Sequence, residues 1–184
     1  PGGLAFLLAG EGRSSDHDVS LSAAAKPALE RLFHQLCAAM ASGRASGIDA
    51  HELTPLLGLG PGLTPSGDDA VGGVIIALHL LGLPDLRDAL WAQLVPLLPQ
   101  ATNRISIAHM QAAAEGYGHE AVHGLANAIL AGETGDLEHR VDAVSAIGHT
   151  SGWDTLVGVV MAATAWLDVR GHAIQSRLIE FRCG

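Results

Sequence analysis

Apolar residues recur at helical spacing through most of this 184-residue chain, and the runs are separated by Gly, Pro and small polar residues. Leu29, Leu32, Phe33, Leu36, Cys37 and Met40 fall on one stripe, which predicts a helix capped by Ser20 or Ser22 and running to about Ser42. Residues 49–57 predict a short helix. Residues 70–81 are almost wholly apolar, the mark of a helix buried on every side. Pro84 suits the first position of a further helix to about Leu98. Thr102 can cap a helix over 103–115, and a Gly-Tyr-Gly break precedes another over 119–130. Two more are expected, over 136–147 and from Trp153 to about Val169. The ends are less clear: the apolar residues 3–9 (GLAFLLA), followed by a break at 10–13, and the ambiguous tail over 174–181 both leave room for a strand. The expected fold is mainly α, a single helical domain over 1–184 with a minor β contribution at the chain ends.

Composition narrows this further. The chain holds 30 Ala and 27 Leu against 20 Val and Ile together and 7 aromatics, too few pleat-filling residues for an all-β fold. Net charge is −9 and Lys26 is the only lysine, so no basic face for nucleic acid is expected. No apolar run is long enough to span a bilayer, which argues against a membrane partner. Cys37 and Cys183 lie far apart with no CxxC neighbour, which suits a reducing cytoplasm. The chain opens on Pro1 rather than Met, as a fragment or processed product would.

One segment repeats. Ser66-Gly67-Asp68-Asp69 returns 85 residues later as Ser151-Gly152-Trp153-Asp154, and the match continues through Gly73 with Gly158, Val74 with Val159 and Ala77 with Ala162. Each copy is a polar loop opening an apolar helix, so the two are candidates for a pseudo-twofold with paired helix starts. A helix start carries unpaired N–H groups and about half a positive charge, which suits phosphate or carboxylate. The preceding GLGPGLTPSGDD (58–69) is rich in Gly and Pro but carries no Lys after its glycines, so it is not a nucleotide P-loop. Simple capping competes: S-x-x-D can close its own helix end at Ser66 to Asp69 and at Ser151 to Asp154. Capping leaves Gly60, Pro61, Gly62, Thr64, Asp68, His149 and Thr150 unexplained.

Other constellations are weaker. Asp68, Asp69 and Asp154 could hold Mg²⁺, although the helix dipole alone favours carboxylates there. His119, Glu120 and His123 form H-E-x-x-H, a zinc-hydrolase spacing, with Glu138, His139 or Asp142 as conceivable third ligands. No further metal-ligand motif follows, and an ordinary helix face is the simpler account. No metal site is therefore expected and no resident cofactor, with Mg²⁺ left open. Thr102, Arg104 and Ser106 open one helix; Arg104 can grip a carboxylate or phosphate in bidentate fashion, or simply sit exposed behind a Thr102 cap. His17, His34, His51, His79, His139 and His172 show no pairing. Tyr117 and Trp153 are lid or core aromatics.

Taken in order, GLGPGLTPSGDD (58–69), T-x-x-I-S (102–106) with A-x-x-G (113–116), and GHTSGWDTLVG (148–158) resemble the AllH-type family over about residues 50–170. The resemblance implies a component of oxamate carbamoyltransferase, which exchanges oxalurate and phosphate with oxamate and carbamoyl phosphate in anaerobic allantoin breakdown. It also implies other protein subunits, including one like an acyl-CoA synthetase, and an additional N-terminal portion. In the family the segment around Glu120 is an ordinary helix. On that resemblance Gly60, Gly62, Thr64, Ser66 and Gly67, with Thr150, Ser151 and Gly152, are expected to cradle a small anionic substrate. Thr102, Arg104 and Ser106 would complete the binding set. Asp68, Asp69, His149 and Asp154 are the candidate catalytic groups: His149 as a donor or proton shuttle, Asp68 to orient Arg104, a nucleophile or a bound ion. The competing expectation is a non-catalytic helical subunit or scaffold that docks the synthetase-like partner.

Overall fold

The computed structural model describes residues 3–9 and 16–183. The predicted break at 10–13 and the side chains of His17, His172 and Cys183 lie outside the described residues. The fold is mainly α. In chain order the helices are α1 (Phe6–Ala9), α2 (Asp16–Ser42), α3 (Ser66–Leu80), α4 (Pro84–Leu94), α5 (Leu98–Ala101), α6 (Arg104–Ala114), α7 (Glu120–Ala131), α8 (Leu137–Ser145) and α9 (Ser151–Cys183).

Among the described residues there is no strand, so the β contribution expected at the ends is overturned. Gly3–Ala5 form a 3-10 turn that runs into α1, and residues 174–181 belong to α9. An isolated strand would leave its N–H and C=O groups unpaired, whereas a helix satisfies them within its own segment. Several boundaries also move for local reasons. Ser22 is buried inside α2 rather than capping it. Residues 49–57 make only a 3-10 turn, Ala50–Leu53, held by the Asp49 carboxylate accepting from the His51 amide at 3.0 Å, with further turns behind it. The helix expected to reach Leu98 stops at Leu94, because Pro96 cannot donate to the helical ladder, and α5 starts afresh around Pro99.

α3 is the central helix. Every residue from Ala70 through Leu78 is buried, and α4, α6, α7 and α9 all pack on it. α2 lays Leu21, Ala25, Ala28, Leu29, Leu32, Leu36 and Ala39 into the same core; of the stripe read from the sequence, Leu29, Leu32 and Leu36 are buried, while Phe33, Cys37 and Met40 pack half-buried against it. Fully burying each such Leu contributes roughly 2 kcal/mol.

The most extensive packing is between α3 and α9, and it is reciprocal. A Cβ on Gly73 would lie 2.0 Å from the Thr155 carbonyl oxygen, and one on Gly158 would lie 1.9 Å from that of Ala70. The 85-residue shift exchanges these two contacts, since it carries Ala70 to Thr155 and Gly73 to Gly158. The two helices therefore cross at backbone contact through a pair of glycines, with their starts on the same side. Gly67 and Gly152 likewise press on the carbonyls of Leu56 and Val144, each 2.0 Å from an added Cβ. Among the described residues no helix is long and apolar enough to cross a membrane.

Candidate functional site

The two repeated loops meet. The Thr64 hydroxyl lies 2.8 Å from the Ser151 hydroxyl, joining the Gly-rich loop before α3 to the first residue of α9. Beside them opens a cavity of about 500 Å³. Its polar end is formed by Thr64, Asp68, Asp69, Ser106, Ser151 and Thr155. Ile76, Met110, Val122 and Ile147 give it an apolar wall, and His109, Tyr117 and His119 stand on its exposed side.

Three carboxylates lie at this junction and differ in what holds them. Asp68, 1% exposed, accepts the Gly58 amide at 2.9 Å, the Ser106 hydroxyl at 2.7 Å and the Thr102 hydroxyl. Gly58 makes this approach at φ +74°, where a Cβ would strike the Ala101 carbonyl at 2.3 Å. Asp154 is wholly buried and accepts the Leu4 amide at 2.6 Å, which ties the N-terminal turn to α9. Asp69 is half-buried, and its Oδ2 is enclosed without a hydrogen-bond partner. Burial pushes its carboxyl up to about 7, opposed by the Ser151 hydroxyl, reinforced by Asp154, eased by Thr64 and raised again by Asp68.

Other sequence candidates fall as follows. Ser66 and Gly67 are buried in the first turn of α3, but Pro65 is its cap residue and no side chain caps that end, so the capping-box reading does not hold for Ser66. The Gly67 amide donates to the Leu59 carbonyl at 2.9 Å and the Gly152 amide to that of Ile147 at 3.2 Å, so neither is free for an anion. Asn103, not Thr102, caps α6 by accepting from Ile105 and Ser106, which leaves the Thr102 hydroxyl for Asp68. Gly60, Gly62, Thr150, Gly152, Arg104 and His149 do not line the cavity, and the Arg104 and His149 side chains are exposed. Gly60 instead backs onto Ser66, whose amide would lie 2.9 Å from an added Cβ.

The H-E-x-x-H segment splits. His119 is the cap of α7, its Nδ1 accepting from the Ala121 amide, while His123 lies one turn in with a buried, unpartnered Nε2. Burial, and then His79, pull the His123 pKa down. Among the described residues no group of three or more His, Cys, Asp and Glu side chains is placed to hold a metal ion.

The sequence reading missed His109, Met110 and Thr155 as cavity residues. The signal was present as spacing: Ser106, His109, Met110 and Ala113 share one face of α6, and Thr155 follows Ser151 by one turn.

No solved structure matches the chain. A family model described as oxamate carbamoyltransferase subunit AllH matches residues 56–163. That span is more than half of the sequence and carries both loops, the Asp68 hydrogen-bond set and the crossing of α3 with α9. The chain therefore belongs to the AllH family.

Proposed function

We propose that this chain supplies the acceptor pocket of an oxamate carbamoyltransferase, with Asp69 as the proton-transfer group. The carrying observation is a carboxyl poised near neutrality, with one enclosed and unpartnered oxygen, at the polar end of a cavity roomy enough for small substrates. The oxamate nitrogen attacks the carbonyl carbon of carbamoyl phosphate. An N–C bond forms, the C–O bond to phosphate breaks, and the proton leaving nitrogen passes to Asp69. In the reverse direction Asp69 returns that proton as phosphate attacks oxalurate. A group titrating near the working pH serves both directions. The Ser151 and Thr64 hydroxyls favour its ionised form.

Asp68 and Asp154 serve as struts in this reading: the first fixes the loop before α3 against α6, the second fixes the N-terminal turn. The reaction belongs in the cytoplasm, where Cys37 stays a thiol, and in a complex with an acyl-CoA-synthetase-like subunit of the kind the family resemblance implies. Arg104 and His149 lie outside this chemistry. Reconstitution with the other subunits tests the assignment: Asp69→Asn lowers turnover by about 100-fold or more while the complex still assembles. Turnover within a few-fold of the parent removes Asp69 from the mechanism.

A scaffold role has its own supporting observation. An apolar groove of about 320 Å³ runs between α1, α2 and α9, lined by Leu7, Leu29, Phe33, Val157 and Met161 among others. If the cavity variant is silent while Phe33→Glu disrupts assembly, the chain is a docking subunit.

A further inference from the structure

The polar end of the cavity lacks positive charge. None of the described residues lining it is Lys or Arg; Asp68 and Asp69 line it, and the buried Asp154 acts on Asp69 from behind. Among the described lining residues the groups able to carry positive charge are His109 and His119, on its exposed side. The Gly67 and Gly152 amides are already bonded to backbone carbonyls. A phosphoryl dianion drawn to this end would meet like charge, without a guanidinium or ammonium to offset it. An –NH₂ group meets the opposite situation, because Asp69 Oδ2 is an enclosed acceptor with no donor.

We infer that this chain holds the neutral carboxamide end of its substrate, N–H toward Asp69, while cationic side chains for the phosphoryl group come from another protein chain seated over the His109, Tyr117 and His119 side. This rests on the transferase reading above and adds a division of labour to it. Charge complementarity supports the occupant: this chain carries a net charge of −9, and Tyr117 is 69% exposed beside the opening. A cationic neighbour there would complete a site that the described residues leave without a Lys or Arg.

Oxamate and oxalate differ only in –NH₂ against –O⁻, so the pair reads this selection directly. Methyl signals of Ile76, Met110 and Ile147 in the full chain report occupancy as oxamate, oxalate and inorganic phosphate are titrated. Oxamate is expected to shift them with at least about tenfold tighter affinity than oxalate, and phosphate to leave them still until the other subunits are added. Asp69→Asn, which presents an amide donor in place of the acceptor, narrows or reverses the preference for oxamate. Oxalate binding as tightly as oxamate, or phosphate shifting these methyls in the isolated chain, overturns the inference and leaves the transferase reading standing. Phosphate silent in the assembled transferase also overturns it. If none of the three ligands shifts the methyls in either form, the cavity is not the substrate site and both readings fall.

Discussion

The starts of α3 and α9 are built from the same short sequence, yet their matching carboxylates stand in opposite situations. Asp154 is sealed in and answered by the Leu4 amide, brought there by a segment 150 residues away in sequence. Asp69, its counterpart under the 85-residue shift, has hydroxyls near it and two carboxylates behind it, and one of its oxygens has no donor. The difference does not lie in the repeat, since both carry S-G-x-D ahead of a crossing glycine. It lies in which distant segment arrives at each helix start. A backbone amide turns one copy into a structural anchor; the other lines an open cavity with one oxygen unpartnered. A repeated motif can thus supply symmetry for packing while its two copies diverge in what holds their carboxylates.

The glycine crossing is the shared part of this comparison, and breaking it has the largest expected effect. Gly73→Ala and Gly158→Ala each force a Cβ within about 2 Å of a carbonyl oxygen in the facing helix, which neither backbone can yield without parting. Each is expected to lose about 3 kcal/mol or more of stability in denaturant melts, with similar values for the two if the crossing is symmetric. Gly124→Ala is the control. It lies inside α7 with only the Arg140 guanidinium near, at 3.5 Å, and gains up to about 1 kcal/mol from helix propensity.

The carboxylates come next and move in opposite directions. Asp154→Ala leaves the buried Leu4 amide unanswered and is expected to destabilise by about 2 kcal/mol. Asp69→Asn stabilises. The Asp69 carboxyl titrates at about 7 in the fold against an ordinary value of 3.8, so the folded state binds the extra proton between those values and its stability falls as pH rises through that window. About three pH units correspond to roughly 4 kcal/mol, reduced to about 2 kcal/mol for a carboxyl partly open to solvent. Melts of the variant and parent should agree below pH 3.8 and separate by that amount above pH 7, with the variant the more stable. A parent stability flat across this interval would show that Asp69 titrates normally.

Much of the fold could be read from one-dimensional pattern. The stripe on α2 and the all-apolar run of α3 are each written within a few turns; the structure buries Leu29, Leu32 and Leu36 of the first, half-buries Phe33, Cys37 and Met40, and buries the second from Ala70 through Leu78. Residues 3–9 misled because an apolar run without period fits a buried strand and a buried turn equally well, and only the partner decides. The pairing of loops was legible from the repeat, and the Thr64 to Ser151 contact joins them. The roles within them were not legible. Asp68 and Asp69 are adjacent and alike in sequence, but one is held by Gly58, Thr102 and Ser106 from two other segments and the other is not. Such sorting depends on contacts across 34 to 38 positions, which no local motif encodes. Arg104 and His149 drew attention as charged groups at loop ends, and such ends turn outward as readily as inward.

The finest test concerns the hydroxyl pair, one member from each copy. Both hydroxyls favour the ionised form of Asp69, the Ser151 hydroxyl more than that of Thr64. Ser151→Ala is therefore expected to move the Asp69 midpoint further up, by less than about one unit, and Thr64→Val by less again. Either change costs about 0.5–1 kcal/mol in stability, small beside the glycine variants. The shift can be followed in the carboxyl carbon resonance of Asp69 or in the acidic limb of the turnover profile, which moves to higher pH as ionisation becomes harder. Asp154→Asn removes a neighbouring charge and should move the same midpoint down. Opposite shifts from two residues of one helix turn would separate hydrogen bonding from charge at a single carboxyl. A midpoint indifferent to Ser151 would mean that the Ser151 hydroxyl does not act on Asp69, leaving the two copies joined by packing and the Thr64–Ser151 contact alone.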